Sequence, residues 1–519
     1  MKLKYTIPLL CLSVITLVDL HGQTIDDALI FSREDLGASA RVKGFGNVQT
    51  ALGGDISSLN GNPAGLGFFG RSDISITFNY LQNSNNIGYL GTNTTSQKGN
   101  FGVDQAGAVF HFPTRSNSGW QNFNIGLSYN KTQNFNNARN YEGNNNTSTI
   151  VHALTDIMDA DQGFSDDFYW SNIVEIYDIP DRSGFFPLAV ENGSKEQYNE
   201  HSIRGNRSKT AIAFGANYNH QFYIGATLGI TSFKYDRQTQ FIENGRTKSP
   251  ADVEANNPNS IFIDPDNLEY DYLNASYELF DTFSQITEGS GVDFKLGMIY
   301  KPAVDWNIGV TINTPTWTTI KEDTRAYTDV NFYEDDKPET SPFDTYESKE
   351  YDSGTDFALT TPWKFALGVA KFFNRGLLSA DVEFVDYSSM RYGDPSTDYF
   401  ADNTYYSDIN RDIKDSYTSV VNFKIGGEYL INNILSGRAG FNYYGNPYKD
   451  ADEKNFSGSL GLGVKLNSSL YLDMAVSQQF ISYKEAAYMI DESFWNLPSP
   501  VANIDHRRTN VALTFGAKF

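Results

Sequence analysis

Apolar and polar residues alternate along much of this chain. Between Val511 and Phe519 every odd position is apolar (Val511, Leu513, Phe515, Ala517, Phe519), and the even positions are small or polar. Successive side chains of a strand point to opposite faces, so this predicts a strand with one apolar face. The pattern recurs at Val421, Phe423, Ile425 and Tyr429, at Phe456, Leu460, Leu462, Val464 and Leu466, and at Val292, Phe294, Leu296, Met298 and Tyr300. Phe123, Ile125, Leu127 and Tyr129 repeat it, as do Ile74, Ile76, Phe78 and Tyr80. Fourteen strands are predicted, near 73–81, 104–113, 122–131, 208–219, 222–237, 291–302, 306–319, 362–373, 376–390, 418–430, 435–444, 456–467, 470–480 and 508–519.

Such strands build either a soluble sandwich or a membrane barrel, and the connections separate the two. The odd connections hold roughly 22, 76, 53, 42, 27, 11 and 27 residues; the even ones are short, as at Asn374–Gly376. An even strand number, short turns at one end and long loops at the other describe an outer-membrane barrel. The predicted fold is therefore an all-β, 14-stranded antiparallel transmembrane barrel spanning 73–519, with long external loops at 132–207, 238–290 and 320–361. Closure also removes the unpaired edges that lipid cannot hydrogen-bond.

Composition now fits. The chain holds 37 Phe, 32 Tyr and 6 Trp at a mean hydropathy of −0.43. In a barrel these aromatics form a lipid-facing surface and its interfacial girdles, with Tyr80, Tyr129, Tyr218, Tyr300 and Tyr429 at strand ends. No apolar run approaches the ~20 residues of a spanning helix. A net charge of −23 argues against nucleic acid, which needs a basic face. Nine acids between Glu334 and Asp356 read as a solvated external surface, with cation-bridged lipopolysaccharide as the sharper alternative.

Residues 1–22 read as a signal peptide: Lys2 and Lys4, an apolar stretch from Ile7 to Val18, and cleavage after Gly22. Lipid attachment at Cys11 is the rival, although Cys11 follows Leu10 rather than a small residue. Cleavage removes the one cysteine and with it any disulfide or thiolate metal site. Residues 23–72 do not alternate. Thr24, Asp26 and Asp27 can cap a short helix, and a Gly-rich stretch from Ala51 leads to Asn62-Pro63-Ala64. A compact segment of small residues before the first strand suits a plug inside a lumen too wide for wall side chains to fill.

This layout resembles the long-chain fatty-acid transporters of the outer membrane, the FadL family with the related toluene-type importers. The resemblance rests on Leu36 to Arg41, Asn62-Pro63-Ala64 just before strand one, Arg438-Ala439-Gly440-Phe441 with Pro447, and the closing strand ending in Phe519. It implies a monomer with an N-terminal hatch that imports hydrophobic molecules by passive diffusion, with Asn62, Pro63 and Ala64 in the hatch and Phe519 as an assembly signal. Implied partners are a hydrophobic ligand, outer-membrane lipid and lipopolysaccharide, and the barrel-assembly machinery of a Gram-negative bacterium; no cofactor is implied. The family's wall opening accompanies a strand kink, for which Gly126 is the candidate here. Arg41 and Lys43 are candidates to hold a carboxylate head group. Ile150, Val151, Leu154, Ile157 and Met158 fall on one face of a loop helix, either a capture surface or loop packing.

Catalytic and metal motifs are thin. His111, His152, His201, His220 and His506 are scattered, and there is no nucleophile elbow or phosphate loop. Asp156, Asp159 and Asp161 lack calcium-loop spacing. The chain reads as a channel rather than an enzyme; the alternative is a surface-binding barrel, a haem receptor or adhesin working through its loops.

Overall fold

The structure, a computed structural model, describes residues 24–34, 37–114, 118–180, 182–334, 341–395 and 406–519. The expected signal peptide with Cys11 lies outside these residues, as do Leu36 and the acids Asp335, Asp336 and Glu339. Fourteen wall strands form the predicted antiparallel barrel. They are β1 (Asp73–Tyr89), β2 (Thr92–Pro113), β3 (Trp120–Asn134), β4 (Lys195–Tyr218), β5 (Phe222–Arg246), β6 (Ser276–Ala303) and β7, in two segments (Trp306–Asn313 and Trp317–Tyr333). Then follow β8, also in two segments (Tyr351–Thr360 and Lys364–Phe373), β9 (Gly376–Asp386), β10 (Ser419–Leu430), β11 (Leu435–Tyr444), β12 (Lys454–Lys465), β13 (Leu470–Ala486) and β14 (Val501–Lys518). The wall closes because β1 pairs with β14 along its whole length, from Asp73↔Lys518 to Tyr89↔Ala502.

The pleat is inside out relative to a soluble protein. On β14, Phe515 faces outward and Thr514 is buried; on β12, Leu460 and Leu462 are exposed while Ser457 and Ser459 are buried. Phe519 continues the outward row, 66% exposed, and its N–H donates to the Ser72 carbonyl at 3.0 Å. An outward apolar band around a polar interior is what a lipid-embedded barrel requires.

The strands run further than the alternation indicated, which corrects the loop boundaries. The span 82–103 is not a loop: β1 and β2 continue to a two-residue turn at Leu90 and Gly91, both with positive φ (46° and 88°). Such a turn matches the right-handed twist of the strands it joins. The expected loops 132–207, 238–290 and 320–361 are strand at both ends, with Asn137–Asn145 continuing beyond β3 along β4, leaving 146–194, 247–275 and 334–350 outside the wall strands. The reason is solvent. Above the lipid band the outward residues turn polar, as with Ser232, Lys234 and Asp236 on β5, and Lys234 pairs with Glu288 of β6 on the outer surface at 2.6 Å. A strand wetted on its outer face has lost the apolar half of its pattern and keeps only its ladder.

Two apolar clusters lie inside this upper barrel. One gathers a helix α3 (Ile150–Ala160), Phe164 and Phe168 with wall residues such as Tyr277, Phe332 and Ile504 across the outer mouth. The other packs Leu29 and Phe31 of the N-terminal segment against Phe233, Tyr235, Phe357 and Tyr417.

Candidate ligand site

The N-terminal segment is a series of single turns, each started by a side-chain cap. Thr24 caps α1 (Ile25–Ser32), Ser39 caps α2 (Ala40–Gly44), Asp55 caps a turn over Ile56–Leu59, and Asn62 caps another over Pro63–Phe68. Pro63 at the first position of its turn has no N–H to leave unsatisfied. Because the turns are short, many of the backbone groups they leave over bond to inward side chains of the wall. Ala40 N–H donates to Thr514 Oγ1 (2.7 Å), Gln49 and Thr50 N–H to Asp381 Oδ2 (both 2.9 Å), and Asn124 and Asn307 donate to the carbonyls of Leu66 (2.7 Å) and Ala51 (3.0 Å).

Asn62, Pro63 and Ala64 are buried against the wall. Asn62 Oδ1 accepts from Ala64 N–H at 3.0 Å, and its Nδ2 donates to the Thr50 carbonyl at 2.5 Å and the Met298 carbonyl at 3.4 Å. Gly225 and Gly297 of the wall let the turn approach: a Cβ would stand 2.3 Å from Pro63 C and 2.0 Å from Asn62 Oδ1. Arg41 and Lys43 are ion-paired to the wall. Arg41 Nε meets Glu428 at 3.2 Å, and Glu428 is shared with Arg438 at 2.6 Å; Lys43 Nζ meets Asp104 at 2.6 Å. Both cations tether the segment.

Between α1 and the later turns of the segment is a cavity of about 360 Å³. Leu29, Ile30, Phe135, Ile203 and Val385 form one part of its lining, and Arg33, Glu34, Lys295, Lys364 and Lys424 another. Most of these charges are matched: Arg33 is bidentate on Glu453 (2.8–3.0 Å), and Glu34 holds Lys209, Arg207 and Lys364, each at 3.1 Å. Lys295 differs. Its ammonium donates to the Asn60 carbonyl and has no ion pair among the described residues. Asp26 on α1 is pushed up to about 7 by burial, against the pull of the Tyr417 hydroxyl at 2.9 Å.

The outer mouth is closed by α3. The predicted apolar face is correct and is buried: Ile150, Val151, Leu154, Ile157 and Met158 are all 5% exposed or less. The helix therefore packs the mouth and does not present an open apolar surface. His152, beside the Trp495 ring, is pushed down to about 4 by burial, with Glu191 at 3.9 Å opposing.

Among the described residues, the ladder between β2 and β3 is broken beside the segment. The β2–β3 ladder runs from Pro113↔Asn122 to Gln105↔Asn130 and stops, while β2 stays paired with β1 up to Thr92. Register shifts mark the place on both sides, at Thr77/Phe78 opposite Asp104 and at Lys131/Gln133. A polar cavity of about 70 Å³ lies against it, lined by Lys43, Asp104, Lys131 and Gln133. Gly126 is not the kink. It pairs regularly with Val109, and a Cβ there would stand 2.7 Å from Leu59 of the segment. Sequence reasoning passed over Asp104 and Lys131; a charge at each limb of one strand pair, close to aromatic positions, was the available signal.

No family model matches the sequence, and no curated protein matches it. Solved structures do. The toluene transporter TodX of Pseudomonas putida is similar with a TM-score of 0.52 at 14% identity, covering 93% of this chain and 99% of that one. A Pseudomonas aeruginosa FadL homologue is similar with a TM-score of 0.51 at 14% identity, covering 92% and 98%. At these identities the likeness is one of fold. The chain shares their closed antiparallel barrel with an N-terminal segment ahead of the first strand, and among the described residues no helix is long and apolar enough to cross a membrane.

Proposed function

From that fold and a lumen closed at both ends, we propose that the protein is a passive outer-membrane channel of a Gram-negative cell. It takes up hydrophobic or amphipathic small molecules, long-chain fatty acids or similar, with residues 24–72 as the hatch. One observation carries this reading: the 360 Å³ cavity combines an apolar side with a cation, Lys295, that has no carboxylate partner. A solute pore has no use for an amphipathic pocket. Apolar burial at roughly 25 cal/mol per Å² holds a tail in such a pocket, and one cation orients its head. Lys295 takes the head-group role in preference to Arg41 and Lys43, which are bound to the wall.

The transporters of this fold that were solved from Pseudomonas support the cargo class. The Asn62–Ala64 turn is the anchor, and the polar tethers around it are what hatch movement exchanges for water.

Lipid extraction from purified protein is the test. Release of long-chain carboxylates, reduced at least fivefold in Lys295→Gln, is the expected result. Haem in their place would favour a receptor, and uptake unchanged after deletion of residues 23–60 would sink the hatch.

A further inference from the structure

Gln49 borders two cavities. Its backbone N–H is held by Asp381, but neither atom of its buried side-chain amide has a hydrogen-bond partner. The amide lies against Gly61, where a Cβ would stand 2.1 Å from Gln49 Cδ. On one side is the central cavity; on the other is a second one, of about 300 Å³. That second cavity is lined by Phe45, Val48, Leu52 and Phe68 of the segment and by Phe372 and Leu377 of the wall. Inward apolar residues run against the polar character of a barrel lumen. Val304, also at its border, is 92% exposed in the turn after β6, so the cavity lies at the end with the short turns, the periplasmic end.

We propose that this lower cavity is a second ligand site, for the tail of an amphipathic anion, and that the Gln49 side chain is the gate between it and the central cavity. The proposal rests on the channel reading above. Lys301 supplies the charge: it lines the lower cavity, and its ammonium has no hydrogen bond or ion pair among the described residues. Lys295 and Lys301 share the inward face of β6, six residues and so about 20 Å apart at ~3.3 Å per residue. A head group passes down one strand from the first to the second while its tail exchanges one apolar lining for the other. The volume falls at the lower end of the roughly 300–1,000 Å³ typical of small-molecule sites. An amide with no hydrogen bonds to break can turn aside while Asp381 keeps the backbone in place.

The test uses the full chain in lipid nanodiscs, with Cys11→Ser removing the one native thiol, dodecanoate as probe and a small methanethiosulfonate as reagent. Dodecanoate should slow modification of Leu52→Cys at least tenfold, and Lys301→Gln should raise the concentration needed at least fivefold. Ile30→Cys reports the central cavity. Protection at Ile30→Cys alone overturns the second site and leaves the channel reading standing; protection at neither position overturns both. For the gate, dodecanoate uptake by cells expressing the chain should fall at least tenfold in Gln49→Trp, with Ile30→Cys protection retained, and rise in Gln49→Ala. Uptake at the parental rate in Gln49→Trp overturns the gate.

Discussion

The lumen is closed twice, by opposite means. Across the outer mouth, α3 and the segments after it form a hydrophobic core with the upper wall, and that core excludes water around Phe168, Val174, Leu279 and Ile504. At the inner end, residues 39–67 touch the wall mainly through single hydrogen bonds, two ion pairs and close backbone contacts, with only small apolar clusters. A hydrophobic core opens only as a unit, because each residue's burial depends on the others. Polar tethers in a wet lumen can be exchanged for water one at a time. The contrast therefore makes the outer closure open all at once and the inner one step by step.

The strongest way to break this comparison is Phe168→Ala, which removes a fully buried ring stacked on Phe164 at 5.2 Å. It should cost the outer closure about 3–5 kcal/mol. Hydrogen exchange should rise across 150–190, with 39–67 unaffected; exchange rising equally in both would show one cooperative unit.

Acid and base should separate the outer closure from α1 next, by on the order of 3 and 4 kcal/mol respectively at about 1.4 kcal/mol per pH unit. His152, at about 4 in the fold against 6.5 unfolded, favours the folded outer closure fully above pH 6.5, and this is lost as the pH falls through 4. Asp26 runs the other way. It stands at about 7 against 3.8, so its contribution is full below pH 3.8 and lost as the pH rises through 7. Exchange at α3 should quicken on acidification and exchange at α1 on alkalinisation; parallel pH profiles would refute the assignment.

Asn62→Ala should loosen the inner closure by about 1–3 kcal/mol, since it removes a cap and strands the Thr50 carbonyl. The readout is proteolysis within 50–68, with the outer closure unchanged. Ser39→Ala should be the smallest change, about 1 kcal/mol for the α2 cap, seen as faster exchange confined to 40–46.

The two closures also differed in how far they could be read beforehand. The apolar face of α3 was plain at helical spacing, yet whether Leu154 and Ile157 faced a ligand or a core depended on Tyr277 and Ile504, which arrive from distant strands. The inner segment was recognisable as a plug by its small residues and caps, but its chemistry was not. Arg41 and Lys43 looked available for a ligand until Glu428 and Asp104, from strands β10 and β2, met them. Lys295 and Gln49 carried no signal at all, because what distinguishes them is a missing partner.

What the sequence by itself determined is the wall: fourteen strands, their inside-out facing, the alternation of long and short ends, and a non-strand segment ahead of β1. These follow from period-two patterning in a lipid solvent, and that patterning is local. Only the tertiary structure decided how far the strands rise above the lipid, where the ladder breaks between β2 and β3, which charges are matched, and that Gln49 stands between two cavities. Each of these depends on residues far apart in the chain meeting across a lumen, and no local pattern records such a meeting.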